Sequence, residues 1–373
     1  MDTIYAAGPS ITEHEINVVM DALKNGWYDK AYYYCEQFQK EFAAYHDRQY
    51  GIMTPNCTTA LHLLLTALGV QEGDEVIVPD CTWIGSTAGI TYLKAKTVFA
   101  DIDPVHWCID VNSIRERITS KTKAIIAVDL FGNMPNWDEL TKLAKEKNIT
   151  IIEDAAEALG SVYKGKKAGK FGVASVFSFH RTKTICTGEG GMLLIDDPAL
   201  WEKCMFLRDH GRKPTGKPYY NYEVTYKYMP FNVQAALGYA QFQRVEELIQ
   251  MKRHHLNMYK ELLSDIDDIS FNPEPEGGRN GAWITGLVFG KSHGFEKEPI
   301  IKKLVEIGIP ARPFFYPLSS LPAYNQENEY RNKNIIAYDV SNRGINLPGA
   351  LNLTDDQIRF VCDGVRKLVQ KEL

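Results

Sequence analysis

Between Tyr50 and Asp154 short apolar runs alternate with helix-patterned segments, and few architectures accept that order. Tyr50 to Met53, Glu75 to Pro79, Thr97 to Asp101, Lys123 to Val128 and Thr150 to Glu153 read as strands. Asn56-Cys57-Thr58-Thr59 caps a helix with Leu61, Leu64, Leu65 and Leu68 on one face. Ile84 to Leu93 and Trp137 to Lys147 read as further helices. The pattern predicts an α/β chain, a mostly parallel sheet wrapped by helices. Ligands of such sheets sit outside the carboxyl ends of the strands. Thr58, Asp154 and Lys183 each fall just after a strand end, so one crevice can hold all three.

The flanks are less regular. Thr12-Glu13-His14-Glu15 reads as a capping box, with Ile16, Val19, Met20 and Leu23 as the apolar stripe of the helix and Gly26 as its end. Phe38 and Phe42 sit one turn apart in a second helix. Trp201 to His210 reads as a helix, Gly211 to Tyr228 as a long loop, and Asn232 to about Leu263 as one long helix. The turn-rich Asn272 to Gly278 then leads into a smaller α+β section, with a strand at Trp283 to Phe289 and a final helix from Asp355. This places a large domain at 1–245 and a small C-terminal domain at 246–373, with the N-terminal segment packing on the small one. Gly160 to Lys166 spells GxxxxGK but is followed by Lys167, not Ser or Thr, and reads as a Gly-rich hairpin.

A net charge of −5 gives no basic footprint for nucleic acid. No apolar run is long enough to span a membrane, and the N-terminus has no signal-peptide pattern. Seven scattered cysteines, never spaced CxxC, point to free thiols in a cytoplasmic protein and to no metal site. His254 and His255 read as exposed histidines on different helix faces.

Lys183 follows an apolar strand, Ser175 to Phe179, and precedes Gly188-Glu189-Gly190-Gly191. A lysine there suits a desolvated amine nucleophile, although an ordinary loop lysine would read the same in isolation. Asn56-Cys57-Thr58 opens a helix, whose backbone amides bind anions or simply form an N-cap. Asp154 ends a buried strand, and Ser178 lies five residues before Lys183. A phosphate cradle, an acid for a pyridinium nitrogen and an amine together meet the needs of pyridoxal phosphate.

The stretch from Glu153 to Met192, including SFHRTKTICTGEGG, strongly resembles the DegT/DnrJ/StrS sugar aminotransferases, a family of fold-type I pyridoxal phosphate enzymes. NCTTALHLLLTALGVQEGDEVIVPDCTW, VQAALGYAQ and ARPFFYPLSSLPAY extend the likeness almost end to end. The resemblance implies Lys183 as the Schiff-base lysine, Asp154 on the pyridine nitrogen and Glu157 at the cofactor's edge. It further implies Cys57, Thr58 and Ser178 on the phosphate and Trp83 stacked on the ring. Lys227 matches a residue that crosses to the phosphate of a partner subunit, which implies a homodimer with shared active sites. The implied reaction is ping-pong. L-glutamate leaves as 2-oxoglutarate, and pyridoxamine phosphate then aminates a keto-sugar on a nucleotide diphosphate. Glu157 favours a 4-keto-6-deoxyhexose, as in perosamine- or viosamine-forming relatives, over a 3-keto substrate. Trp27, His180, Arg312 and Tyr316 are candidates for sugar or nucleotide contacts, with packing or surface pairing the plain alternative for each. YDKAYYYCEQF after Trp27 and Ser319-Ser320 depart from the family pattern, and Ser319-Ser320 are expected to alter the sugar pocket. A non-catalytic regulator and a dehydratase of the same fold are the rival classes, and the retained lysine speaks against both.

Overall fold

The computed structural model describes residues 2–213, 216–275 and 277–373. Pro214, Thr215 and Glu276, which belong to the expected loop and turn-rich stretch, lie outside the described residues. Helices α1 (Glu13–Asn25) and α2 (Tyr33–Tyr45) lead into an alternating series. It runs β1 (Tyr50–Thr54), α3 (Cys57–Ala67), β2 (Glu75–Pro79), α4 (Gly85–Tyr92), β3 (Lys96–Ala100), α5 (Val111–Arg117), β4 (Thr122–Val128), α6 (Trp137–Lys147) and β5 (Thr150–Asp154). A small hairpin, β6 (Val162–Tyr163) and β7 (Lys166–Lys167), occupies the GxxxxGK stretch, and β8 (Ala174–Ser178) and β9 (Gly191–Ile195) follow.

Seven of these strands form one sheet in the order β1-β9-β8-β5-β4-β2-β3. Only β9 runs against its neighbours, pairing antiparallel with β1 and β8. The ends of β1, β2, β5 and β8 and the start of β9 therefore share one edge. The strands are apolar on both faces because helices cover both: one core gathers around α2 and α6, the other around α3.

After α7 (Pro198–Arg208), the expected single helix is two, α8 (Asn232–Phe242) and α9 (Val245–Leu262). The break falls at Gln243-Arg244, where the Arg244 guanidinium bonds to buried Glu15 at 2.7 Å and to Glu247 at 2.7 Å. A second sheet, all antiparallel, has the order β10-β11-β13-β12, from β10 (Ile269–Phe271), β11 (Thr285–Phe289), β12 (Arg312–Pro313) and β13 (Gly344–Leu347). It packs against α9, α10 (Lys297–Glu306) and α13 (Asp355–Val369), with α11 (Glu327–Tyr330) and α12 (Ile335–Arg343) between β12 and β13. Ile4 belongs to this second core, and the Ala6 and Gly8 carbonyls accept from Gly349 and Leu351 N–H.

Three expectations need correction. The capping box and Gly26 end of α1 are present, but Ile16, Met20 and Leu23 are 46%, 41% and 47% exposed. The inward face instead carries Glu15, Val18 and Ala22, because α1 lies close on α8, where small or paired side chains fit. His255 is buried, and burial drives its pKa down to about 4; only His254 is exposed, paired with Asp355. Asn272 is not a linker residue. It is fully buried, with its amide donating to Phe131 and Ile284 carbonyls and accepting the Gly286 N–H.

Phe42 sits at the hub of the first core, its ring 5.0 to 5.5 Å from those of Phe38, Phe177, Phe179 and Phe242. F42A is expected to lower the free energy of unfolding by about 3–5 kcal/mol, read from urea denaturation.

Candidate active site

The shared strand edge opens on a cavity of about 500 Å³. Its floor begins at α3. Asn56 is extended, and its side chain accepts the Thr59 N–H at 2.9 Å while Thr59 returns a bond to Asn56. That capping box leaves the Cys57 and Thr58 N–H groups without a protein acceptor among the described residues, at the positive end of the helix. Gly191 lets β9 start against this turn, since a Cβ there would come within 2.6 Å of Asn56 C and Cys57 N. Burial, followed by the nearby Asp154 charge, pushes the Cys57 thiol well up, so it stays protonated despite its place at a helix N-terminus.

Asp154 closes β5 and is 3% exposed. One oxygen accepts from Ser86 Oγ at 2.7 Å and the other from the Ala156 N–H at 3.2 Å. Burial raises its pKa, opposed by those bonds and by the Lys183 charge. A carboxylate this dry is stabilised by a cationic partner. Glu157 is likewise raised by burial, with Lys183 as the first opposing influence. Its Oε2 accepts the Phe131 N–H at 3.0 Å and its Oε1 accepts from Lys183 Nζ at 3.1 Å.

Lys183 is delivered by the turn that joins β8 to β9. Phe179 and Arg181 N–H groups bond back to Gly190 and Gly188, and the Lys183 N–H bonds to His180 O. The side chain is 11% exposed and passes over the Trp283 ring, with Nζ 3.6 Å from the centroid. Ser178, at the end of β8, lines the same cavity and accepts the His180 N–H at 3.3 Å. His180 bonds Thr182 Oγ1 at 2.9 Å, and burial lowers its pKa. Trp83 also lines the cavity and is 61% exposed, its ring centroid 6.1 Å from that of Phe315.

Cys57, Thr58, Trp83, Asp154, Glu157, Ser178, His180, Lys183 and Arg312 thus all line one cavity. Three candidates do not. Trp27 is exposed, and its indole N–H donates to the Leu23 carbonyl in the last turn of α1. Tyr316 points away, its hydroxyl on Glu298 at 2.9 Å and its ring under Lys297. Lys227 pairs with Asp209 at 2.6 Å outside the cavity. Ser319 is buried against Asp80 and Tyr338, and Ser320 bonds Pro317, so neither departs toward the pocket as expected.

The structure adds residues that sequence reasoning missed. Ser86 orients Asp154, the Phe131 N–H orients Glu157, and Arg181 and Trp283 line the cavity. Arg181 was adjacent to the strongest motif; the others carried no local signal, because their contacts span 68, 26 and 101 residues of sequence. Burial and the adjacent Arg181 charge lower the pKa of Arg312, and neither arginine makes an ion pair among the described residues. The free α3 amides, the dry Asp154 carboxylate and the Lys183 amine in one cavity fit pyridoxal phosphate.

A profile of the DegT/DnrJ/EryC1/StrS aminotransferase family matches residues 9–366. GDP-perosamine synthase of Escherichia coli O157:H7 is 36% identical over 359 residues, covering 96% of each chain. GDP-4-keto-6-deoxy-D-mannose 3-dehydratase of Yersinia pseudotuberculosis is 31% identical over 300 residues, covering 74% of this chain and 76% of the other. A Streptococcus pneumoniae protein described as a sugar aminotransferase, solved in PMP and PLP forms, superposes with a TM-score of 0.92 at 27% identity. In the PMP form the match covers 99% of this chain and 98% of that one. From its strand ends to its full-length relatives, the chain belongs to the DegT/DnrJ/EryC1/StrS family of pyridoxal phosphate-dependent sugar aminotransferases.

Proposed function

We propose that the protein moves the amino group of L-glutamate onto carbon 4 of a 4-keto-6-deoxyhexose carried on a nucleotide diphosphate. The observation that carries this reading is the Lys183 amine, held at 3.1 Å from Glu157 in the cavity that also contains Asp154. The name of the 36% identical relative supports guanosine as the nucleotide and a perosamine-type product. Arg181 and Arg312, both without a carboxylate partner, supply positive charge for the diphosphate or for the carboxylates of glutamate.

In this reading each residue has one task. The Cys57 and Thr58 amides and the Ser178 hydroxyl bind the cofactor phosphate. Trp83 covers the ring face, and Asp154, oriented by Ser86, keeps the ring nitrogen protonated. Glu157 steers the ring edge and the Lys183 ammonium. Bound pyridoxal phosphate supplies an electron sink and carries the amino group between the two half-reactions. Lys183 anchors the cofactor and, once free, moves a proton at Nζ as both base and acid. The dehydratase class is disfavoured because Lys183 is present and His180 does not take its place; its ring is turned to Thr182.

The reading includes a homodimer. Ile16, Met20 and Leu23 form an uncovered apolar face on α1, continued by exposed Trp27 and Tyr28. A second copy covering this face would bury it, and the reading assigns Lys227 to the partner's phosphate site.

K183A should lack the visible absorbance band of lysine-bound cofactor; a wild-type spectrum from this variant would refute the assignment. D154N should slow the single-turnover reaction with L-glutamate by about 100-fold or more, the loss of one charge-assisted contact in a dry site. Replacing Met20 and Leu23 by Asp should shift the chain from dimer to monomer in light scattering; an unchanged mass would place the interface elsewhere.

A further inference from the structure

Asn280 to Ala282 form a tight turn leading to β11. Ala282 has φ +57°, in the left-handed region that L side chains rarely adopt. Hydrogen bonds hold that conformation from several sides. Asn280 Oδ1 accepts the Ala282 N–H at 2.6 Å, and Asn280 Nδ2 donates to Asn133 Oδ1 at 2.7 Å. The Gly281 N–H donates to Ser161 Oγ at 2.8 Å, which donates to Gly132 O at 2.7 Å. The turn aims the Trp283 indole into the cavity. There its Nε1–H donates to the Thr182 carbonyl at 2.7 Å, and Lys183 Nζ lies 3.6 Å from the ring centroid. Filling a core requires neither a strained turn nor an amine centred on the ring face.

We infer that Trp283 is a positioning residue that docks Lys183 as an ammonium whenever its amine is free, holding it against Glu157 for its next use. The inference rests on the role of Lys183 given above. The charged and titratable groups around it are Cys57, Asp154, Glu157, His180, Arg181, Glu189 and Arg312 on the cavity wall, and buried Lys252, whose pKa is lowered by burial and then by the Lys183 charge. The negative face of the indole, 3.6 Å from Nζ, attracts a cation without adding a charge. A carboxylate in place of Trp283 would hold the lysine more strongly and disturb Asp154; an aromatic face holds it and releases it. Trp283 leads into the second sheet, so the dock links the lysine to the placement of that segment.

The full-length chain stripped of cofactor tests this through its rate of pyridoxal phosphate capture, followed by absorbance across pH. Only the neutral amine adds to the aldehyde. W283L is expected to capture about 3- to 10-fold faster at neutral pH, with the profile midpoint about 0.5 to 1 unit lower. W283F keeps a weaker aromatic face and should shift the midpoint in the same direction by less. If W283L does not fold by circular dichroism, the W283F shift decides. Unchanged midpoints in the folded variants, with or without a loss of capture amplitude, would overturn the dock and leave Trp283 a packing residue. Wild-type protein that captures no pyridoxal phosphate would overturn the assignment of Lys183 and the dock together.

Discussion

The contact between Lys183 and Glu157 depends on, and reports, most of the surrounding architecture. The lysine comes from the turn after β8, the carboxylate from just beyond β5, and Phe131 after β4 fixes the carboxylate by its N–H. Parallel pairing of β4, β5 and β8 brings those three segments to one edge. A buried ammonium or carboxylate left alone would cost several kcal/mol. The pair is tolerable because Lys183 also meets an aromatic face and Glu157 also accepts a backbone amide.

The same edge concentrates acid. Asp129, Glu153, Asp154 and Glu157 are all buried. Burial raises Asp129 well above the ordinary carboxylate range, and neighbouring Glu153 adds to the rise. Glu153 is satisfied by the Gly169 and Phe171 N–H groups at 2.7 and 2.8 Å. Burial raises Glu153 too, to about 7, so the negative charge behind Asp154 is limited. Asp154 and Glu157 are the buried acids that face the cavity, and the exposed Glu189 joins them at its wall.

The alternation from Tyr50 to Asp154 was readable because each strand and helix announces itself within a dozen residues. The capping box at Asn56, the strand ends at Asp154 and Ser178, and the glycines after Lys183 were local signals of that kind. The stretch between Pro317 and Asp355 was not readable. Helix α12 and strand β13 there run into one another at Arg343-Gly344 without a turn signal, and β13 is a strand only because β11 and β12 flank it. The stripe on α1 misled for a related reason. Apolar periodicity shows which residues share a face, but not whether that face meets the chain's own core.

The sequence by itself determined the α/β class, the capped α3 and the chemical identity of the cavity's amine and acids, because these depend on short-range pattern and residue type. Only the tertiary structure decided which groups orient them. Ser86 reaches Asp154, Phe131 reaches Glu157, and Trp283 reaches Lys183 through contacts that close only when distant segments pack. It also decided that Tyr316, Ser319 and Ser320 face away from the cavity, since which way a loop side chain points is set by the partner it can bury or bond against.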